Sequence, residues 1–95
     1  MSETLESAAQ KLREKLGGRE LDGSVKFDVT DEGAIIISGG DVRVGEGDAD
    51  VTISGSLDTF LEMFAGELAP TAAYMTGRIS IDGDMSMAMK LSQVL

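Results

Sequence analysis

The chain has 95 residues, of which 42% are hydrophobic and 26% charged, and these values predict a single globular domain over residues 1–95. It contains no cysteine and no histidine, which excludes disulfides, thiolate catalysis, cysteine-based zinc sites and the usual histidine base. Its net charge of −9 argues against nucleic acid as a partner, because nucleic-acid binding needs a basic surface.

Residues 2–16 form the first predicted element, an amphipathic helix that ends at Gly17-Gly18. Its polar face mixes Glu14 with three basic residues, so it is the least acidic part of the chain. We interpret this face as solvated, and transient membrane contact is the alternative that the sequence leaves open. The apolar stripe consists of Leu5, Ala9, Leu12 and Leu16.

Four short strands are predicted after this helix. Apolar and polar residues alternate in them, and glycine-rich turns separate them. Such short turns imply a mainly antiparallel sheet. In the second strand Ile36 points away from Ile35 and Ile37, so that strand should be central or covered on both faces. The predicted strands cover residues 24–30, 34–38, 41–44 and 49–54.

Two short helices are predicted after the fourth strand. Apolar residues recur at helical spacing over residues 57–64, behind Ser56, whose hydroxyl can cap the first turn. Gly66 ends this helix. Pro70 suits the first turn of the second helix, which runs to Gly77.

The last helix is apolar over most of its circumference. It follows a strand over residues 78–82, Asp84 can cap it, and we expect it to reach Leu95. An apolar arc much wider than about 100° needs a second apolar partner besides one sheet face: another helix, a second subunit or a ligand. The polar stripe consists of Ser86, Lys90 and Gln93, and the apolar remainder of Met85, Met87, Ala88, Met89, Leu91, Val94 and Leu95.

No motif for catalysis or ion binding stands out. The acidic run over residues 46–50 lacks the spacing and the closing glutamate of a calcium-binding loop. Gly39-Gly40 lacks the lysine and the hydroxyl residue of a phosphate loop. Asp84 already serves as a helix cap, which argues against an acid–base pair with Asp82. We therefore predict no enzyme activity, no metal and no cofactor.

Several short segments between residues 50 and 91 form a recognisable combination. They are Asp50-Val51-Thr52-Ile53, Asp58, Phe60-Leu61, Gly66, Leu68-Ala69-Pro70, Ala73-Tyr74-Met75-Thr76-Gly77-Arg78-Ile79-Ser80-Ile81, Gly83-Asp84-Met85 and Ala88-Met89-Lys90-Leu91. Each segment alone is a weak signal. In this order they resemble the lipid-binding half of the sterol carrier protein-2 family.

The resemblance implies an α+β fold with a five-stranded sheet covered by helices and an apolar tunnel between the sheet and the helices. It implies a crossover between the third and fourth strands, for which residues 45–48 are a short connection. It also implies non-catalytic binding and intracellular carriage of an apolar lipid, such as a fatty acid, a fatty acyl-CoA or a sterol-like molecule. Residues 93–95 do not form a peroxisomal signal, so we expect a small stand-alone member of bacterial type.

We expect aromatic and methionine side chains to form much of the tunnel wall, because methionine adapts its shape to variable partners. The Tyr74 hydroxyl and the Arg78 guanidinium are candidates for contact with a polar head group. The predicted lipid-binding residues are Phe27, Phe60, Met63, Phe64, Tyr74, Met75, Met85 and Met89.

An accessory or interaction module, for example in quinone or lipid biosynthesis, is the alternative function. In that case the wide apolar arc would bind a partner protein or a second subunit, and the oligomeric state stays open. No apolar run approaches the roughly 20 residues of a membrane span, and the N-terminus lacks a signal-peptide core. We therefore expect a cytoplasmic protein.

Overall fold

The computed structural model describes the backbone of residues 2–94 and the side chains of residues 5–94. It has the predicted α+β architecture, and its elements follow one another in the predicted order. Leu95, which the sequence assigns to the last helix, lies outside the described residues. The elements are α1 (Ser2–Leu16), β1 (Ser24–Val29), β2 (Gly33–Ser38), β3 (Asp41–Val44), β4 (Val51–Gly55), α2 (Leu57–Phe64), α3 (Pro70–Met75), β5 (Ile79–Gly83) and α4 (Met85–Val94).

The strands form one five-stranded sheet in the order β3-β2-β1-β4-β5. Three of the pairs are antiparallel, which confirms the mainly antiparallel prediction, whereas β1 and β4 are parallel. The parallel pair exists because residues 45–50, which we call the crossover, carry the chain from the edge strand β3 to the far side of β1. Asp50 fixes the end of the crossover: its carboxylate accepts the Ser24 amide proton at 3.0 Å, and its own amide donates to the Ser24 hydroxyl.

The crossover covers the sheet face opposite the helices. A Cβ atom added to Gly47 would lie 3.1 Å from Cδ1 of Ile36, so this glycine packs closely over the isoleucine. Lys26 Nζ and Glu46 Oε1 are 2.8 Å apart, and this hydrogen bond raises the pKa of Lys26 above its ordinary value. The Gly47 contact explains why Ile36 is buried although it points away from Ile35 and Ile37, in agreement with the prediction that β2 is central or covered on both faces.

The helix-facing side of the sheet is covered in two halves. The α1 helix packs its predicted stripe, which is buried throughout, against β2 and β3 and also contacts α2. The α4 helix contacts β1, β4 and β5, and α3 contacts β5. The strand pairing aligns one row of side chains across all five strands under these helices. The row runs through Val44, Ile35, Phe27, Ile53 and Ile81.

The three short helices begin where the sequence predicts. The Ser56 hydroxyl accepts the Thr59 amide proton at 3.2 Å, and Pro70 occupies the first turn of α3. The Asp84 carboxylate accepts the Ser86 amide proton at 2.9 Å and so caps α4. The side-chain caps of α2 and α4 and the proline of α3 therefore fix where the three helices begin.

Candidate functional site

An apolar groove lies between α3, α4 and the β4–β5 part of the sheet, where α1 and α2 do not reach. Its volume is about 330 Å³, and it is open to solvent on one side. Its polar groups, the Tyr74 hydroxyl among them, are uncharged. The lining residues are Ile53, Ile79 and Ile81 from the sheet, Pro70, Thr71, Tyr74 and Met75 from α3, and Met85, Ala88, Met89, Leu91, Ser92 and Gln93 from α4.

Two contacts of Arg78, which follows α3 in the chain, hold the α3 side of the groove in place. Ala73 is fully buried, and its carbonyl accepts the Arg78 amide proton at 2.9 Å. The Arg78 guanidinium donates to Glu62 at 2.7 Å, which joins the start of β5 to the last turns of α2. These contacts fix the position from which α3 presents Tyr74 and Met75 to the groove.

The ion pair behind α3 also shifts the protonation of its members. The hydrogen bond from Arg78 lowers the pKa of Glu62 below its ordinary value of 4.5, and the same bond raises the pKa of Arg78. Both side chains are partly exposed. Arg78 is thus committed to Glu62 and is not among the residues that line the groove, whereas Tyr74 is.

The packing of α4 explains why its apolar arc is unusually wide. One stripe of the helix, with Met87 and Leu91, is buried, and the helix lies against the sheet. Met85 and Met89, one helical turn apart, form a second stripe that faces the groove and solvent. The arc therefore serves two surfaces, a packed one and an open one.

The eight predicted lipid-binding residues fall into two groups of four. Tyr74 and Met85 are each 48% exposed, Met89 is 65% and Met75 is 84% exposed, and all four line the groove. The structure thus brings together one half of the predicted set at the surface of the sheet.

The other four predicted residues pack in the core between the sheet and α2 and do not line the groove. The Phe27 ring meets the rings of Phe60 and Phe64 edge-on, with centroids 5.3 and 5.1 Å apart. Met63 is buried in the same cluster, at 1% exposure. We call Phe27, Phe60 and Phe64 the aromatic trio.

The sequence-based site omitted the floor of the groove. Ile79 and Ile81 share one face of β5, and Ile53 stands beside Ile81 on the neighbouring strand. The sequence signal that could have identified them is the alternation of apolar and polar residues in β5. This strand stands in the chain between two helices, one of which has a surplus apolar stripe. The enclosed tunnel stays a prediction, because the described residues form an open groove.

The model of the SCP-2 sterol transfer family matches residues 2–95. The chain belongs to this family. The family resemblance seen in residues 50–91 accordingly extends over nearly the whole chain.

Solved SCP-2 structures share this fold. Sterol carrier protein 2 like 2 from Aedes aegypti superposes with a TM-score of 0.80 at 21% identity, over 99% of this chain and 98% of that chain. The sterol carrier protein domain 2 of Helicoverpa armigera gives 0.64 at 29% identity, over 94% and 71%. These values establish the five-stranded α+β fold.

The curated relatives are much longer than this chain. Hydroxysteroid dehydrogenase-like protein 2 from Bos taurus is 44% identical over 59 residues, which cover 60% of this chain and 14% of that protein. The Homo sapiens protein of the same name gives the same values. The match therefore concerns one SCP-2-like part of a larger protein.

Neither a membrane span nor a metal cluster is found in the part of the chain that the structure describes. No helix there is long and apolar enough to cross a bilayer. No three acidic residues among residues 5–94 are arranged to hold a metal ion.

Proposed function

We propose that this SCP-2 domain, as one unit over residues 1–95, binds the apolar chain of a lipid in the groove between α3, α4 and β5. The single observation that carries the proposal is the cluster of four large apolar side chains, Tyr74, Met75, Met85 and Met89, that remain exposed around one concave surface. Exposed apolar patches of this kind mark binding sites.

The size and chemistry of the groove suit a slender apolar chain. Its volume of about 330 Å³ is at the lower end of the range of roughly 300–1,000 Å³ for ligand pockets. Each methylene that leaves water contributes about 0.8 kcal/mol, so a twelve-carbon chain could gain of order 8–10 kcal/mol before the costs of ordering are subtracted. A groove open on one side realises part of that gain.

Two SCP-2 relatives support the class of ligand. An Aedes aegypti SCP2L2 was solved as a palmitated protein, and sterol carrier protein-2 from the same species was solved in complex with palmitate. We extend the class, a fatty acid or a related lipid such as a fatty acyl-CoA or sterol-like molecule, to this chain. The proposed role is carriage in the cytoplasm without chemical change.

The first test places a charge in the groove. Met89→Glu puts a carboxylate where the lipid chain should lie, and we expect the affinity for a pyrene-labelled fatty acid, measured by fluorescence titration, to fall at least about tenfold because a buried unpaired charge is unfavourable. Ser86→Glu is the matched control, since it adds the same charge to an exposed position of α4 that does not line the groove. Equal affinities of the two variants would contradict the proposal.

The second candidate function is an interaction module, and the openness of the groove favours it. Met75 and Met89 are exposed enough for a partner protein or a second subunit to cover them. Sedimentation velocity over a range of concentrations distinguishes lipid carriage from the interaction module. A monomer that binds the fatty acid supports carriage, whereas a dimer that the Met89→Glu change dissociates supports the module.

A further inference from the structure

We propose that the groove is a site of reversible methionine oxidation, at Met75, Met85 and Met89, and that forming the sulfoxides releases the bound lipid. The consequence, lipid release, rests on the proposed function. The pattern of oxidation does not, because it can be measured on the ligand-free protein. The co-reactant is a peroxide, and hydrogen peroxide is its simplest representative.

The five methionines with described side chains divide sharply by exposure. Met75 and Met89 are mostly exposed and Met85 is half-exposed, whereas Met63 and Met87 have 1% and 3% of their surface exposed. Oxidation follows the access of the oxidant to sulfur. Peroxide in solution should therefore reach the three groove methionines first and leave the two core methionines reduced.

The accessible methionines also share one surface. All three line the groove, with Met75 on α3 and Met85 and Met89 on consecutive turns of α4. A thioether contacts an alkyl chain favourably and adapts to its shape. A sulfoxide is polar and chiral, and pressing it against an alkyl chain removes its oxygen from water without a hydrogen bond. Three such changes in one groove act on the same ligand.

The chemical step needs only the named co-reactant. The sulfur lone pair attacks one oxygen of hydrogen peroxide, the S–O bond forms and the O–O bond breaks. The leaving hydroxide takes the proton from the oxygen on sulfur, so the products are methionine sulfoxide and water. Sulfur loses two electrons, and the peroxide gains them. Methionine sulfoxide reductases reverse the change with a dithiol as reductant, one enzyme for each epimer: the dithiol is oxidised to a disulfide, and the sulfoxide oxygen leaves as water.

The fold should survive the modification. The side chains that change are exposed, whereas the aromatic trio and Met63 are buried and do not line the groove. The α4 helix keeps its attachment through Met87, Ala88 and Leu91, which are buried. Oxidation is thus expected to change the ligand surface and to leave the sheet and its helices in place.

The experiment treats the full chain with graded hydrogen peroxide, removes the peroxide, and divides each sample. Fragment-ion mass spectrometry of one half locates each added oxygen, which resolves Met85, Met87 and Met89 within one segment. Titration with a pyrene-labelled fatty acid in the other half gives the affinity. We expect sulfoxide at the three groove methionines before Met63 and Met87, and a loss of affinity of about tenfold or more, which the two reductases restore.

A matched pair of variants assigns the effect. The triple variant Met75→Leu, Met85→Leu, Met89→Leu keeps apolar side chains of similar volume, and its affinity should not respond to peroxide. Met63→Leu should respond as the parent does. Unchanged probe affinity after oxidation of the three methionines would overturn this inference alone. A loss of affinity in the triple variant after peroxide treatment would do the same. Failure of the reduced parent to bind the probe would overturn the proposed function together with it.

Discussion

At the scale of single residues, methionine and phenylalanine have different tasks in this domain. The aromatic trio fixes the core through edge-on contacts near 5 Å, which depend on rigid rings. Methionines line the groove, where a flexible thioether can follow the shape of a ligand. The eight predicted site residues are all aromatic residues or methionines, and residue type cannot distinguish a packed side chain from an open one.

Replacing one ring of the trio should therefore separate stability from binding. We expect Phe64→Ala to lower the free energy of unfolding by about 3–5 kcal/mol, because it leaves a cavity in the core. The folded fraction should bind the pyrene-labelled fatty acid with parental affinity. Urea denaturation and fluorescence titration give the two quantities, and Phe64→Leu is a milder variant if the alanine protein unfolds. A fall in the affinity of folded Phe64→Leu would place Phe64 in the binding site.

The Glu62–Arg78 pair gives stability a defined pH dependence. Its hydrogen bond lowers the folded-state pKa of Glu62 below 4.5, so its contribution is present above pH 4.5 and is lost as the pH falls through the lowered value. We expect Glu62→Gln to unfold at lower urea concentration than the parent at pH 7, with the difference shrinking as the pH falls below 4.5. Because both side chains are partly exposed, the difference should be small.

The control for this pair is Glu67→Gln, which removes the same charge from an exposed position nearby. It should lack the pH-dependent difference. A difference in Glu62→Gln that persists unchanged at low pH would show that the ion pair is not its cause.

At the scale of elements, the groove exists because α3 and α4 are anchored by small parts of their surfaces. The α3 helix is held by buried Ala73 and the backbone bond to Arg78, and α4 by one stripe of its arc. The sequence predicted each helix, its cap and the surplus apolar stripe, because these follow from local spacing. It could not predict which stripe meets the sheet, since both stripes of α4 are apolar.

Enlarging the contact under α3 should move that side of the groove. We expect Ala73→Leu to destabilise the domain by about 1–3 kcal/mol through overpacking and to alter lipid affinity as α3 shifts away from β5. Ala72→Leu, on the exposed side of the same helix, should change neither quantity. Urea denaturation and probe titration test both variants, and a stable Ala73→Leu protein with parental affinity would show that the position of α3 is not critical.

At the scale of the whole molecule, the crossover determines where the groove forms on the helix-facing side of the sheet. It places β4 and β5 beyond β1, where α1 does not reach, so that the row of apolar side chains ends at Ile53 and Ile81 in the groove. Periodicity and short turns alone predicted a mainly antiparallel sheet, without the parallel pairing of β1 and β4. The family resemblance supplied the crossover, which depends on contacts between segments far apart in the chain.

The central claim is that lipid binds in the groove and not within the aromatic core, and methionine methyl NMR tests it most directly. With carbon-13 in the methionine methyl groups, dodecanoate is added and contacts between its chain and each methyl are recorded. The account predicts contacts and shifts for Met75, Met85 and Met89, and none for Met63, which lies with the aromatic trio. Contacts to Met63 without contacts to the groove methionines would contradict it.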